Sequence, residues 1–485
     1  MAETQGGAGP PRGVKIVCTL GPATSDAAAI GALVRAGMNV ARLNFSHGTH
    51  PEHAERARLV REAARAEGRA VALLQDLRGP KVRIGPMAQD TVVATDASFD
   101  LLRGPGEGDA RRAYVDDGLF FEEVRAGDPL LLADGAVQLA VEAVDAAGAR
   151  CRVVAGGALS SGKGVNVPRG LLRRPVLGDA DRAALAFGAR IGVDLVGVSY
   201  VRTPDDLRSV RRALRELDAA TPLVAKIETA AAIAGLDAIL EATDAVLVAR
   251  GDLSLETPFE RVPLEQKRIL EAARRRGRPS ITATQMLMSM VREPLPTRAE
   301  VNDVANAVLD GTDAVMLSEE TAIGAHPARV VEVMARIASY TERGRSQPLR
   351  GADGLSADLS ELGVVAEAAA RTAREVSARA VIAWSRGGLA ARLLSRAGPG
   401  VPIVAPTGSA ATARTLALVR DVTPIEVEGD TVDPAAVRAV LGATAGDGDN
   451  VVVFGHDLDG AGRRMAWMRV ARLDEPSGWA RDPKV

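Results

Sequence analysis

From Val14 to Thr341 the chain repeats one alternation, and few folds can absorb it. Short apolar runs recur at Lys15–Leu20, Val40–Phe45, Ala70–Gln75, Leu195–Tyr200, Leu223–Ile227, Ala245–Ala249, Ser280–Ala283 and Ala314–Leu317. They are rich in Val, Ile and Leu and lack strict alternation, as strands buried on both faces of a parallel sheet do. Amphipathic stretches separate them: Asp26–Ala36, Pro51–Glu67, Ala180–Ile191, Pro204–Leu217, Ala230–Glu241, Pro263–Arg276, Arg298–Leu309 and Pro327–Thr341. Several open with Pro or a capping residue. Eight strands, each with a helix, predict an α/β fold built on a closed (β/α)8 TIM barrel.

One interval breaks the rhythm. About a hundred residues separate the third strand from the helix at Ala180, and they carry short alternating runs at Ser98–Leu102, Pro129–Leu132, Val137–Val144 and Arg150–Val154. This predicts a small all-β lid domain inserted in the third strand-to-helix loop, on the side of the barrel where sites form. Beyond a polar linker near 343–355, a helix at Asp358–Ser377 and strands at Ala380–Ala383, Val401–Ala405, Thr423–Val427, Asn450–Phe454 and Met468–Leu473 predict a C-terminal open α/β domain. The expected division is a disordered tail at 1–12, a barrel at 13–85 and 170–343, a lid at 86–169 and a C-terminal domain at 344–485.

Composition limits the function classes. With 485 residues, 47% of them hydrophobic and 25% charged, the chain can bury several cores. A net charge of -2 argues against a nucleic-acid or anionic-membrane partner. No apolar run spans a bilayer, and residues 1–12 lack a signal-peptide pattern, so a cytoplasmic location is expected. Cys18 and Cys151 are too few and too distant for a disulfide framework or a zinc site. Only six of the 60 basic residues are lysine, which draws notice to Lys81, Lys163 and Lys226, since an ammonium and a guanidinium are not interchangeable.

In such a barrel, chemistry sits at the C-terminal strand ends. Six ends are unusually polar: Arg42-Leu43-Asn44-Phe45-Ser46-His47, Asp76, Lys226-Ile227-Glu228, Arg250-Gly251-Asp252, Thr282-Ala283-Thr284 and Ser318-Glu319-Glu320. A polar pair at one strand end is usually a cap; six facing one rim need another account. Glu228 and Asp252 are hard oxygen ligands suited to Mg2+. Lys226, Arg42 and Arg83 can surround a phosphoryl group, and Gly251 allows an anion to approach the backbone. Two reactions fit: metal-assisted phosphoryl transfer, or enolate chemistry on a phosphorylated acid. Other residues get plainer expectations. Cys18 reads as core, His50 and His53 as solvated or capping, Trp384 as core or interface, and Arg274-Arg275-Arg276 as a helix C-terminus.

The motifs KIVCTLGPAT (15–24), AGMNVARLNFSHGTHPEH (36–53), DLRGPKVRIG (76–85), GKGVNVP (162–168), VAKIE (224–228), VARGDL (248–253), ITATQM (281–286) and PTRAEVNDVANAVLDGTDAVMLSEETAIG (296–324) resemble pyruvate kinases across nearly the whole barrel. The resemblance implies transfer of a phosphoryl group from phosphoenolpyruvate to ADP, giving pyruvate and ATP in glycolysis. It implies Arg42, Lys226 and Thr284 as catalytic residues, and Arg42, Lys226, Gly251, Asp252 and Thr284 as substrate contacts. Asn44, His47, Arg83 and the lid residue Lys163 would meet the nucleotide. Glu228 and Asp252 would hold Mg2+, and a homotetramer is the usual assembly.

Asn44, Ser46, Asp76 and the Leu77 carbonyl match the family's potassium ligands. Lys81, however, stands where potassium-activated members carry Glu, and Leu77 where they carry Thr. An ammonium can bring the charge a monovalent cation would bring, so K+ is expected not to be required. The effector loop matches less well. Ser385-Arg386-Gly387-Gly388-Leu389-Ala390 keeps one hydroxyl of the family's run, which disfavours fructose bisphosphate and leaves another sugar phosphate, a nucleotide or no effector. Glu319 stands where many members have Gly. Two other classes stay in view, a non-catalytic phosphoenolpyruvate-binding paralogue and another magnesium-enolate barrel enzyme; ADP-dependent pyruvate formation separates them.

Overall fold

The computed structural model describes residues 12–167, 174–344, 360–429, 431–442, 445–446, 448–458, 464–475 and 479. Eight parallel strands close on themselves: β1 (Lys15–Leu20), β2 (Val40–Asn44), β3 (Ala72–Asp76), β4 (Leu195–Val198), β5 (Leu223–Ile227), β6 (Ala245–Ala249), β7 (Ser280–Ala283) and β8 (Ala314–Leu317). Closure is made by β1, which pairs with β2 through Val17 and Val40 and with β8 through Lys15 and Ala314.

Apolar residues fill the interior, among them Val17, Val40, Leu74, Val224, Leu247, Ile281 and Met316. A larger layer lies between strands and helices. The flanking helices start where local chemistry tells them to. At Pro204–Glu216, Thr203 and Asp206 form a capping box, Pro opens the first turn, and Leu207, Val210 and Leu214 face the barrel. At Arg298–Asp310, Thr297 and Glu300 do the same, and Gly311 ends the helix at φ +90°.

Three local expectations change. The stretch expected as one helix over Ala230–Glu241 is two, Ala230–Ala234 and Leu236–Ala242, hinged at Gly235. The fourth strand stops at Val198, because Tyr200 turns the backbone to φ +55°. His53 is not solvated. It is 2% exposed, stacks on Phe45 at 4.3 Å between ring centroids, and its Nε2 lies 3.0 Å from the His47 carbonyl. His50 is exposed and stacks on Phe187.

The inserted segment forms a seven-stranded sheet in the order Val82–Arg83, Gly164–Asn166, Pro129–Leu132, Val137–Val144, Gly148–Ala155, Ser98–Arg103, Arg112–Val115. Its separate core includes Phe99, Leu101, Phe120, Leu139 and Cys151. Val82–Arg83 pairs with Gly164–Asn166, so these two residues, placed in the barrel by the expected boundary at 85, pair within this sheet. The C-terminal sheet runs Val422–Glu426, Ile403–Thr407, Ala380–Ala383, Asn450–Leu458, Arg464–Arg472, with only the last strand antiparallel. Trp384 is core, its indole donating to the Trp479 carbonyl at 2.7 Å. The expected tail falls, except Arg12, on residues outside those described, as does the linker beyond residue 344. No helix among the described residues is long and apolar enough to cross a membrane.

Candidate active site

The strand ends meet at one mouth. Lys226, on β5, points its ammonium at Glu228 (2.9 Å), at Asp76 (3.2 Å) and at the Ser199 hydroxyl (2.8 Å). Arg42, on β2, takes the other oxygen of Asp76 through two nitrogens, at 2.6 and 2.7 Å, and donates to Thr19 at 2.9 Å. Asp76 ends β3 and is thus clasped by two cations. Burial works against its charge, but Lys226 and Arg42 outweigh burial and hold the carboxyl below its ordinary range. For Lys226 burial again opposes the charge, and Asp76 and Glu228 overcome it, so the ammonium stays firmly protonated.

Glu228 is 1% exposed and accepts from the Tyr200 backbone amide at 2.7 Å, while its other oxygen has only the Lys226 ion pair. Burial, with the like charge of Asp252, pushes its carboxyl up against the pull of Lys226. A buried carboxylate with spare acceptor capacity and a like-charged neighbour is placed to receive a cation. Asp252 faces it from the helix Arg250–Glu256, accepting from the Tyr200 hydroxyl at 3.3 Å and pairing with the Lys81 ammonium at 3.2 Å. Among the described residues no three acidic, His or Cys side chains cluster as a ready metal cage. A hard divalent ion on Glu228 and Asp252 would therefore complete its shell with substrate and water, as Mg2+ commonly does.

Beside this pair the backbone is bent to purpose. Thr284 and Gln285 follow β7 at φ +73° and +53°, conformations that need external support. Arg250 supplies it, donating to the Ala283 and Thr284 carbonyls at 3.1 and 2.7 Å and gripping both oxygens of Asp303. The Thr284 hydroxyl accepts from the Gly251 amide at 2.9 Å. A Cβ at Gly251 would touch only Thr284, at 3.7 Å, so the space above it is open. Gly79, by contrast, has no such room. At φ +68° a Cβ there would lie 2.9 Å from Ser199, so only glycine keeps that turn.

The nucleotide-side candidates form a second, cationic patch. Asn44 accepts from the Ser46 amide at 3.1 Å, and His47 follows in the same turn. Burial and then the positive charges of Arg83, Arg42 and Arg78 hold the His47 imidazole below its ordinary range. Exposed Glu319 pulls the imidazole the other way, so the Glu in place of Gly acts on His47. Arg83 donates to the Gly162 carbonyl at 2.8 Å; Lys163 joins that strand through its backbone and leaves its side chain exposed.

Lys81 lies elsewhere than expected. Its ion partners are Asp252 and, at 3.7 Å, the lid residue Asp134, not the Asn44, Ser46, Asp76 and Leu77 set. The reason is competition. Arg42 and Lys226 already hold the two oxygens of Asp76, and the Leu77 carbonyl accepts from the Ser199 hydroxyl at 2.7 Å.

Four residues of the mouth escaped the sequence reading: Ser199, Tyr200, Thr19 and Arg250 as a backbone brace. The first three sit at the ends of β4 and β1, the two strand ends left out of the six read as polar. The rule applied to the others would have found them.

A closed barrel whose mouth sets cations and buried carboxylates around an open, backbone-lined space, beneath a separate β domain, defines an enzyme of the (β/α)8 class acting on an anionic substrate. Comparison with known proteins narrows it. A family model described as "Pyruvate kinase, barrel domain" matches residues 11–331, and one described as "Pyruvate kinase, alpha/beta domain" matches 364–471. "Pyruvate kinase 2" of Synechocystis is 40% identical over 460 residues, 93% of this chain and 77% of the relative. "Pyruvate kinase" of Corynebacterium efficiens is 42% identical over 413 residues, 84% of this chain and 85% of the relative. "Pyruvate kinase" of Geobacillus stearothermophilus is 40% identical over 457 residues, 91% and 77%. The chain belongs to the pyruvate kinase family and is a phosphotransferase of that type.

Proposed function

We propose that the enzyme transfers the phosphoryl group of phosphoenolpyruvate to ADP, yielding pyruvate and ATP, with Mg2+ as cofactor and without a need for K+. The observation that carries this reading is the Lys226 ammonium, seated between Asp76, Glu228 and Ser199 at the barrel's mouth. Held by Glu228 and Asp252, Mg2+ would supply positive charge to oxygens of the substrate.

The chain's own groups do the rest. Arg42 and Lys226 bind the phosphoryl oxygens and stabilise charge as it spreads during transfer. The Asp252 amide and the Thr284 hydroxyl, which the Gly251 amide positions, orient the carboxylate end. Because Thr284 accepts from Gly251, its own proton is free to turn toward ligand. After transfer the enolate carbon needs a proton, and Thr284 stands beside the route by which one arrives. Asn44, His47, Arg83 and Lys163 receive the nucleotide phosphates. The lid sheet excludes water, the competing acceptor.

For the monovalent site, the support is charge already present. Asp76 carries two cationic partners, and Lys81 adds an ammonium to the same mouth. Cytoplasmic location and homotetramer assembly remain inferences from the family.

A coupled assay of pyruvate formation tests the reading. Turnover is expected to require ADP and Mg2+, and Lys226→Met is expected to lower kcat on the order of 10²–10³-fold. In tetramethylammonium buffer without K+ most turnover is expected to persist. Phosphoenolpyruvate binding without turnover would instead mark a non-catalytic relative. Loss of most activity in the K+-free buffer would return the monovalent site to use.

A further inference from the structure

At the opposite end of the barrel, arginines crowd a junction cleft. It is a small, half-open cleft of about 30 Å³ between the barrel's N-terminal face and the helix Leu389–Ala397, and includes none of Ser385–Gly388. Arg274 and Arg278 line it from the barrel, Arg392 and Arg396 from the C-terminal helix, and Arg420 from the following segment. Two have carboxylate partners. Arg420 pairs with Glu342 at 2.8 Å, and Arg396 with Glu367 at 3.0 Å.

The other three have no carboxylate within 4.0 Å among the described residues. Among the described residues Arg392 has no side-chain hydrogen bond, Arg278 only one to the Leu240 carbonyl at 3.1 Å, and the buried Nε of Arg274 no partner. The acids at hand are already committed: Glu271, which acts on Arg274 ahead of Asp313, pairs with Arg275 at 3.1 Å. Asp313 lines the cleft, but its oxygens accept from the Ser280 amide (2.9 Å), the Ser280 hydroxyl (3.1 Å) and the Arg420 amide (3.1 Å). The Arg392 guanidinium is held below its ordinary range first by burial and then by Arg278. Asp244 pulls both the other way from a distance, while its carboxylate pairs with Arg211.

Half-buried like charges around an open space lack a counter-ion. We infer that this cleft binds a phosphate-class dianion, inorganic phosphate or a small phosphate monoester, between the guanidinium groups of Arg274, Arg278 and Arg392, clamping the C-terminal domain to the barrel. Forked donors from both walls of the cleft, with Ser395 also lining it, suit a tetrahedral anion with several oxygens better than a single planar carboxylate.

Thermal unfolding of the full chain tests this, in chloride and at matched ionic strength in inorganic phosphate, glycerol 3-phosphate or malonate. Either phosphate probe is expected to raise the wild-type midpoint, and a larger rise with the ester assigns the ligand to that source. R274Q and R392Q are each expected to lose more than half of the rise, whereas R386Q, in the turn before the helix, keeps it. In chloride the two cleft variants are expected to melt no lower than wild type, since each removes a repelling neighbour. Equal rises in wild type and cleft variants, an equal rise with malonate, or a loss confined to R386Q would overturn the inference. So would a lower midpoint of both cleft variants in chloride, which would make the arginines structural donors.

Discussion

Ser199 does at the scale of one residue what no strand-end motif announced. Its hydroxyl donates to the Leu77 carbonyl at 2.7 Å and accepts from Lys226 at 2.8 Å, so it fixes where the ammonium points between two carboxylates. Removing one such hydrogen bond is worth about 1 kcal/mol, or several-fold in rate if the orientation matters only in the transition state. Ser199→Ala is therefore expected to lower kcat roughly five- to tenfold with little change in the KM for phosphoenolpyruvate; an equal loss through KM alone would make Ser199 a binding residue. Lys226, Glu228 and Asp252 were legible because their charges sit at strand ends where charge is costly to bury. Ser199 could have been marked as a polar strand end, but its uncharged hydroxyl gains a role only once its neighbours are known. Lys81 shows the opposite limit: its identity was readable, but which carboxylate it would choose depended on Arg42 and Lys226 already holding Asp76.

The elements that matter are the short bends where strands end. The turn after β7 keeps Thr284 and Gln285 in left-handed conformations, and Arg250 braces it from the neighbouring strand end. A lysine there keeps the charge but loses the planar fork that grips both Asp303 oxygens. Arg250→Lys is expected to cost about 1–3 kcal/mol in denaturant unfolding and to raise the KM for phosphoenolpyruvate, because Thr284 and Gly251 lose their register. Unchanged stability and KM would show that the bend holds itself. Five strands, β1, β5, β6, β7 and β8, fall on the runs expected for them, since a doubly buried strand needs an uninterrupted apolar run. Ends governed by a single φ, such as that at Tyr200, were beyond pattern reading.

Across the whole molecule, the C-terminal domain stoppers the barrel from below. Leu418 completes the barrel's interior cluster, Arg420 donates to the Thr312 carbonyl at 3.1 Å, and Lys15 reaches the Val422 carbonyl at 2.7 Å. Burial, then Arg12, lowers the Lys15 ammonium from 10.5 to about 8. The unfolded chain thus holds this proton more tightly, and the folded state is penalised below pH 8. Stability from this group rises as pH climbs from about 8 to 10.5. Measured against Lys15→Met, whose own titration there is absent, wild-type unfolding free energy is expected to gain on the order of 1–3 kcal/mol between pH 7.5 and 10. A constant difference would mean the ammonium is not buried at this junction. Alternation of apolar runs and capped helices was enough, in sequence alone, to determine a closed barrel with an inserted β domain, a second α/β domain and a charged mouth, because periodicity and strand-end polarity are local properties. Which cation neutralises which carboxylate, how the bend at Thr284 is held, and the arginine cleft at the domain junction were decided only by tertiary structure. Each depends on residues far apart in the chain competing for the same few buried oxygens.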